Sequence, residues 1–154
     1  LKYFNIFGPG EEHKGDMKSL VNKSISQIAD TGSISLFKSY KNDYKGGEQK
    51  RDFLYVNDAA KITIDLSINL DATGLFNVGS GVANSWNYLA ECIFNSLNKT
   101  CCINYIDMPD KLKNKYQYFT QANISKLYNY LPNLEITSLQ DTVEDYVTNY
   151  LIKS

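Results

Sequence analysis

The chain has 154 residues, of which 43% are hydrophobic and 21% are charged, and its formal net charge is −1. This length is close to the commonest size of a single domain, and the composition can support a hydrophobic core. The balanced charge gives no basis for binding to nucleic acid or to an acidic membrane surface. No apolar run approaches the roughly 18 residues that a membrane-spanning helix needs. We therefore expect a folded domain whose partners include neither nucleic acid nor a membrane.

The first third of the chain has the pattern strand, helix, strand, loop. The aromatic and apolar run 2–7 predicts a buried strand that ends in a glycine-proline turn. Residues 17–29 repeat apolar side chains at helical spacing, with Asp16 as the expected N-cap. Residues 33–37 predict a short strand, and the polar segment 40–50 that follows predicts an exposed loop.

The middle of the chain repeats this alternation. Residues 51–56 return to strand character. A helix with its apolar residues on one side should follow, capped by Asn57 or Asp58 and ending near Asn69. Residues 75–78 predict another short strand.

The last third continues in the same way. Ser85 should open a strongly periodic helix, and residues 101–106 predict a strand that Pro109 ends. A final helix over 139–150 carries an apolar stripe. Because strands and helices alternate throughout, the predicted fold class is α/β.

The three cysteines, Cys92, Cys101 and Cys102, have no spacing that is typical of a zinc site, so no metal is predicted. Reduced thiols are the usual state in a cytoplasmic protein, and we expect that location. The turn Gly79-Ser80-Gly81 lacks both common phosphate-loop patterns. We interpret it as a tight connection between strand and helix, although close backbone approach to a cofactor is the alternative.

His13, the single histidine, follows the glycine-rich turn together with Lys14. A histidine could act as a general base, but no nucleophile motif accompanies it, so a surface role is favoured. Lys14 is either a solvated loop cation or a group that serves anion binding or proton transfer near a helix start. Arg51 presents a planar fork suited to phosphate oxygens, and a surface ion pair with a neighbouring aspartate is an equally weighted alternative.

Three stretches, "KYFNIFGP", "RDFLYVNDAA" and "FNVGSG", occur here in that order. Together they resemble the carboxy-terminal half of the extended short-chain dehydrogenase/reductase family that acts on nucleotide sugars. The further stretches "HKGDM" and "PDKLKNKYQYFTQANISKL" are similar to the ADP-L-glycero-D-manno-heptose 6-epimerases within that family.

This resemblance implies an architecture and an activity. Residues 1–7 and 53–78 would be the last elements of an NADP-binding Rossmann domain, and residues 8–52 and 79–154 would form a substrate domain. The activity would be epimerisation of ADP-heptose at C6 through a keto intermediate, for synthesis of the lipopolysaccharide core. Members of this family form homo-oligomers, so we expect one here.

The resemblance also assigns site residues. Lys14 would be a catalytic acid/base that also contacts NADP, and Ile6 would be a backbone contact to the cofactor. The substrate-binding positions would be Asn5, Asp16, Lys23, Phe37, Lys38, Ser39, Tyr40, Arg51 and Tyr116. Aspartate and lysine at positions 16 and 23 differ from the serine and histidine that are common in the family.

The chain lacks two features of a complete enzyme of this family. It contains neither a glycine-rich dinucleotide fingerprint nor a Tyr-x-x-x-Lys pair. We therefore expect a fragment that is inactive without an amino-terminal half and that exposes apolar surface on strand 1–6 and helix 58–70, causing self-association. The alternatives are another nucleotide-sugar epimerase or dehydratase, and a non-catalytic nucleotide-sugar-binding module.

Overall fold

A computed structural model describes residues 1–153, which form short strands and helices in alternation. The strands are β1 (Lys2–Tyr3), β2 (Ile6–Phe7), β3 (Ile34–Phe37), β4 (Lys50–Asp52), β5 (Leu54–Tyr55), β6 (Asn77–Val78), β7 (Ala83–Ser85) and β8 (Ile103–Ile106). The α-helices are α1 (Leu20–Thr31), α2 (Val56–Ile68), α3 (Trp86–Ser96), α4 (Asp110–Lys113), α5 (Ser125–Tyr130) and α6 (Leu139–Tyr146). A 3₁₀ segment (Glu12–Met17) precedes α1, and a π-helical turn (Val147–Leu151) extends α6.

The strands pair across long stretches of sequence. Strands β1 and β6, β2 and β5, and β3 and β8 pair in parallel, whereas β4 and β7 pair antiparallel. Parallel pairing requires a crossover, and helices supply it here. The predicted α/β class is thereby confirmed.

Two clusters of buried apolar side chains form the core. The larger cluster joins α1, α3 and α6 to β3, with Val21, Ile93 and Val143 almost fully buried. The smaller cluster packs α2 against β5, β6 and α5 through residues such as Ile62 and Leu127. The predicted division into a Rossmann part (1–7 and 53–78) and a substrate part (8–52 and 79–154) stays a prediction. Helix α5, which belongs to the predicted substrate part, packs in the same cluster as α2 of the predicted Rossmann part.

Two predicted helix caps are wrong. Helix α1 begins at Leu20, because the positive φ of Gly15 (51°) turns the chain and Ser19 accepts a hydrogen bond from the Asn22 amide at 3.3 Å. Asp16 therefore lies in the 3₁₀ segment and not at the cap.

Helix α2 begins at Val56, ahead of both predicted caps. The Asp58 carboxylate lies in its first turn and accepts hydrogen bonds from the amide (3.0 Å) and hydroxyl (3.1 Å) of Thr137. The predicted cap at Ser85 is confirmed, since this side chain accepts from the Tyr88 amide at 3.1 Å.

The predicted strand 51–56 is shorter than expected and is interrupted at Phe53, where the chain passes from β4 to β5. The last residue of β4, Asp52, is fully buried, and its carboxylate binds the turn after β6. The carboxylate accepts hydrogen bonds from the amide (2.6 Å) and hydroxyl (2.8 Å) of Ser80 and from the amides of Gly81 and Ala122 (2.9 Å each). This arrangement excludes an Arg51–Asp52 surface ion pair. Gly79-Ser80-Gly81 follows strand β6 as predicted, but it leads into strand β7 and not directly into a helix, because β7 (Ala83–Ser85) precedes α3.

Apolar side chains lie open on α2 and beside it. Ile68 is 73% exposed, Leu70 is 95% exposed, and Tyr3 on β1 is 45% exposed. The predicted exposed apolar surface is confirmed, and the self-association expected from it stays a prediction. Within residues 1–153, no helix has both the length and the apolar character needed to cross a membrane.

We expect Asp52→Ala to lower the free energy of unfolding by about 3 kcal/mol, because buried amide and hydroxyl donors lose their acceptor. Urea denaturation followed by circular dichroism measures this value. The matched control is Asp43→Ala in the exposed loop, which should change stability by less than about 0.5 kcal/mol. Equal effects of the two substitutions would contradict the structural role of Asp52.

Candidate functional site

A cavity of about 340 Å³ lies where the start of α1, the end of β3 and the start of α3 meet. Its walls include Leu20, Lys23, Phe37, Trp86 and Tyr116. The volume lies within the range of small-molecule sites, and the walls combine aromatic faces with cations. Such a lining suits a ligand that has both a flat ring and negative charge.

A second cavity of about 220 Å³ adjoins the first. It is lined by Asn5, which lies between β1 and β2, and by both residues of β2, Ile6 and the carboxyl-terminal Phe7. Lys18, Leu20 and Trp86 line both cavities, so the two form neighbouring parts of one depression. Open α/β sheets bind ligands at the carboxyl ends of their strands, and this depression occupies such a position.

Tyr116 lines the larger cavity, and Arg51 packs against its ring without lining the cavity itself. The guanidinium of Arg51 lies 5.2 Å from the centre of the Tyr116 ring, which makes an edge contact with Phe37 at 6.1 Å. Burial raises the pKa of the Tyr116 hydroxyl, and the neighbouring Arg51 and Trp86 oppose this effect. The phenol is therefore a neutral hydrogen-bonding group at neutral pH.

Arg51 is a buried cation that lacks an acidic partner. It is 7% exposed and donates to the backbone carbonyls of Lys50 (2.8 Å) and Gln117. Within residues 1–153, no carboxylate forms an ion pair with it. Burial lowers the pKa of Arg51, although a guanidinium remains charged in proteins. A buried charge normally has a counter-charge, so the geometry at Arg51 favours an anionic ligand.

Trp86 separates the two cavities at the first position of α3. Its indole N–H is a buried donor without a completed hydrogen bond, and Tyr116 is the polar group that it approaches. Sequence reasoning did not select Trp86 or Lys18 as site residues. The one sequence feature that could have indicated Trp86 is its position as the only tryptophan, directly after the cap of a helix. The burial of its side chain depends on tertiary contacts, which helical periodicity does not show.

Lys14 lies in the 3₁₀ segment, outside the lining of either cavity. Its side chain is 37% exposed, and its ammonium is 3.5 Å from the Glu11 carboxylate. His13 on the same segment is exposed, as the surface interpretation expected. The catalytic assignment of Lys14 stays a prediction.

The other predicted site residues divide into two groups. Asn5, Ile6, Lys23, Phe37 and Tyr116 line the depression, and Arg51 lies behind the Tyr116 ring. Lys38 and Ser39 instead line a separate open groove, and both Lys38 and Tyr40 bind the Asp107 carboxylate at 3.2 and 2.9 Å. Asp16 is exposed, and its carbonyl accepts a hydrogen bond from the Lys23 ammonium. The assigned roles of all these residues stay predictions.

Residues 1–79, about half of the chain, match the sequence profile of the NAD dependent epimerase/dehydratase family. The chain belongs to this family. The matched region contains β1 to β6 and the predicted cofactor contact Ile6.

Two curated relatives of this family member are ADP-L-glycero-D-manno-heptose-6-epimerases. The protein of Nitratidesulfovibrio vulgaris is 44% identical over 151 residues, which cover 98% of this chain and 47% of the relative. The protein of Fusobacterium nucleatum is 42% identical over 159 residues, covering 99% of this chain and 48% of the relative. The family member described here thus spans about half the length of these curated relatives.

Solved epimerases share the fold of this family member. The Helicobacter pylori ADP-L-glycero-D-manno-heptose-6-epimerase has a TM-score of 0.77 at 26% identity, covering 96% of this chain and 42% of that one. The UDP-N-acetylglucosamine 4-epimerase of Methanobrevibacter ruminantium has a TM-score of 0.78 at 27% identity, covering 99% and 45%. The backbone alone therefore does not separate these two activities.

We expect the buried hydroxyl of Tyr146 to make the free energy of unfolding decrease at alkaline pH. Burial raises its pKa to about 12 from an ordinary value of 10.0, with a hydrogen bond from Asn22 opposing and the nearby Glu11 reinforcing the shift. Between these two values the unfolded chain loses the proton before the folded chain does, so the unfolding free energy decreases as pH rises.

Urea denaturation between pH 9 and 12 tests this expectation. Tyr146→Phe should make the decrease shallower, and Tyr128→Phe, at an exposed position, should leave it unchanged. The same slope in both variants would contradict the assignment to Tyr146.

Proposed function

We propose that this chain is the carboxy-terminal, substrate-binding half of an ADP-L-glycero-D-manno-heptose 6-epimerase. The observation that carries the proposal is the buried Arg51, a cation without a carboxylate partner in residues 1–153, set against Tyr116 beside the cavity. Its geometry calls for an anion such as a diphosphate. The names of the relatives that are 42–44% identical supply the identity of the nucleotide sugar.

The cations around the cavity support a diphosphate that enters beside the aromatic wall. Arg51 offers a planar fork from behind Tyr116, and Lys18 and Lys23 contribute further positive charge to the lining. Phe37 presents an aromatic face at the end of β3, suited to the adenine ring. The nucleotide would thus lie in the larger cavity, with its phosphates next to Arg51.

The sugar would then reach the smaller cavity beside Asn5. The Asn5 amide donates to the Asp52 carbonyl at 3.0 Å, which fixes the side chain and leaves its carbonyl oxygen available to a sugar hydroxyl. Lys14 would act as the acid/base on one face of the sugar, with Asp16, Lys38, Ser39 and Tyr40 as further contacts. These assignments rest on the family pattern.

A nicotinamide cofactor, which we propose to be NADP, supplies reversible hydride transfer when bound. From this chain, Ile6 would contact it through the backbone, since Ile6 lines the smaller cavity at the start of β2. The turn Gly79-Ser80-Gly81 would not hold its phosphates, because its amides already bind the Asp52 carboxylate. The glycine-rich fingerprint that the cofactor requires would come from an amino-terminal half.

That amino-terminal half is the first partner that we propose. The exposed side chains of Ile64, Ile68 and Leu70 offer it an apolar surface, and the curated relatives contain about as much sequence again. Homo-oligomerisation of the assembled enzyme, a role in lipopolysaccharide core synthesis and a cytoplasmic location belong to the same proposal. The three free cysteines are in keeping with a reducing compartment.

Complementation tests the proposal. The chain is produced together with the amino-terminal half of the Nitratidesulfovibrio vulgaris relative, and conversion of ADP-D-glycero- to ADP-L-glycero-D-manno-heptose is followed by proton NMR. We expect conversion, and a decrease in turnover of about 100-fold with Lys14→Met, because a positioned acid/base contributes on that scale. Lys99→Met, at an exposed position after α3, is the matched control and should retain activity.

UDP-N-acetylglucosamine serves as the competing substrate in the same assay, since the fold resembles its 4-epimerase equally well. A folded complex that converts only this substrate would replace the heptose proposal. A complex that binds nucleotide sugars and converts neither would favour the non-catalytic binding module.

Nucleotide binding by the chain alone provides a second test, with the fluorescence of Trp86 as the signal. Arg51→Met should weaken ADP binding by about 10- to 100-fold, since a charge-assisted contact to phosphate is lost. Arg51→Lys should recover part of the affinity, because it restores the charge without the fork. Unchanged affinity in Arg51→Met would contradict the diphosphate role, and Lys99→Met again serves as the control.

A further inference from the structure

Glu11 is a buried carboxylate whose position is fixed from two helices. Its side chain is 3% exposed. It accepts hydrogen bonds from the amide (3.1 Å) and hydroxyl (2.6 Å) of Ser19, the residue that caps α1. The hydroxyl of Tyr146 on α6 donates to it at 3.2 Å and in turn accepts from the Asn22 amide group at 2.9 Å. These contacts give the carboxylate little freedom to move.

Lys14 is the cation that pairs with this fixed carboxylate. Its ammonium lies 3.5 Å from Glu11 Oε1, and its backbone amide donates to the Glu11 carbonyl at 2.9 Å. Within residues 1–153, this is the ion pair that Glu11 makes. The neighbouring Glu12 is exposed and is not part of it. Two contacts to one residue therefore hold both the backbone and the side chain of Lys14.

We propose that Glu11 is a positioning residue that tethers the ammonium of Lys14 to the same carboxylate oxygen that Ser19, a residue lining the smaller cavity, also binds, an inference that rests on the proposed function for the role of Lys14. A lysine side chain has a flexible four-carbon stem and loses much conformational freedom when its ammonium must contact a substrate in one geometry. A carboxylate that is itself fixed by Ser19 and Tyr146 restricts the ammonium before substrate arrives. The neutral donors around Glu11 satisfy its oxygens, and Lys14 supplies the counter-charge that a buried carboxylate needs.

The burial of Glu11 argues against a merely solvated pair. An exposed i,i+3 pair contributes little and leaves both side chains mobile. Here the acid is buried and only the lysine reaches solvent. The segment that carries Lys14 then leads directly to Lys18, which lines both cavities. Glu11 is also bound directly to Ser19, which lines the smaller cavity, so the pair adjoins the depression.

The test measures how freely Lys14 reacts in the full 154-residue chain. Wild type and Glu11→Gln are treated with an amine-acylating reagent for short times, and mass spectrometry gives the initial rate for each lysine. We expect the rate at Lys14 to rise at least threefold in Glu11→Gln. Lys99 and Lys153, far along the chain, serve as internal standards and should change less than twofold. An unchanged rate at Lys14 would overturn the proposal.

Two further variants separate tethering from a loss of folding. Glu12→Gln removes a negative charge from the same segment without touching the buried contact, so it should leave the rate at Lys14 unchanged. Glu11→Asp keeps the charge but shortens the side chain, so it should still raise the rate if Glu11→Gln fails to fold. A rise in Glu12→Gln equal to that in Glu11→Gln would also overturn the tether, since general charge would then explain it.

The kinetics of the assembled enzyme distinguish a positioning role of Glu11 from a merely structural one. Glu11→Gln should lower kcat while KM changes less than twofold, and it should have no further effect when Lys14→Met is already present. Additive losses in the double variant would contradict action through Lys14. A complex without turnover in any variant would contradict the proposed function, and the labelling rates would then decide on the tether by themselves.

Discussion

The hydrogen bonds to the buried Asp52 carboxylate fix the geometry on which the candidate site depends. They join β4 to the turn after β6 and to the late segment at Ala122. Successive side chains of a strand point to opposite faces, so holding Asp52 inward directs Arg51 to the other side, against Tyr116. The Asp52 carbonyl also accepts from Asn5. A single buried acid therefore sets the positions of the cation behind Tyr116 at the larger cavity and of the Asn5 amide at the smaller one.

The sequence predicts those elements whose signal is local. The sequence pattern predicts helices α1, α2 and α3, because their apolar residues repeat at helical spacing over three turns or more. The pattern does not predict strand β7 or the short helices α4 and α5, since three to six residues carry too little periodicity. The predicted ends of helices are wrong for a different reason. Asp58 has the side chain of a helix cap, but its carboxylate accepts a hydrogen bond from Thr137, which is 79 residues away in the sequence. Only the tertiary fold brings this partner close.

The candidate site shows the same division between motif and packing. The family pattern selected Asn5, Phe37 and Tyr116, and the fold brings them to neighbouring cavities. It could not show that Arg51 would be buried without an acid, because the adjacent Asp52 suggests a pair that the strand geometry prevents. The sequence pattern does not predict a site role for Trp86, because the burial of its unpaired indole N–H depends on packing and not on residue spacing. Residues that repeat a motif can be found from sequence, whereas residues that acquire a role through burial cannot.

The exposure of Lys14 indicates what the rest of an active site would have to provide. General acid/base lysines work in surroundings from which water is largely removed, and this side chain is still 37% exposed. Its partner Glu11 is already buried, so the dry part of the environment lies on the side of α1 and α6. The open side must be covered by a surface outside this chain or by the substrate. The amino-terminal half that we propose would supply this cover, since α2, which carries exposed apolar residues, packs against β2, whose Ile6 lines the smaller cavity. Under the proposed function, the chain would supply the wall that orients Lys14, and the proposed amino-terminal half would supply the wall that excludes water.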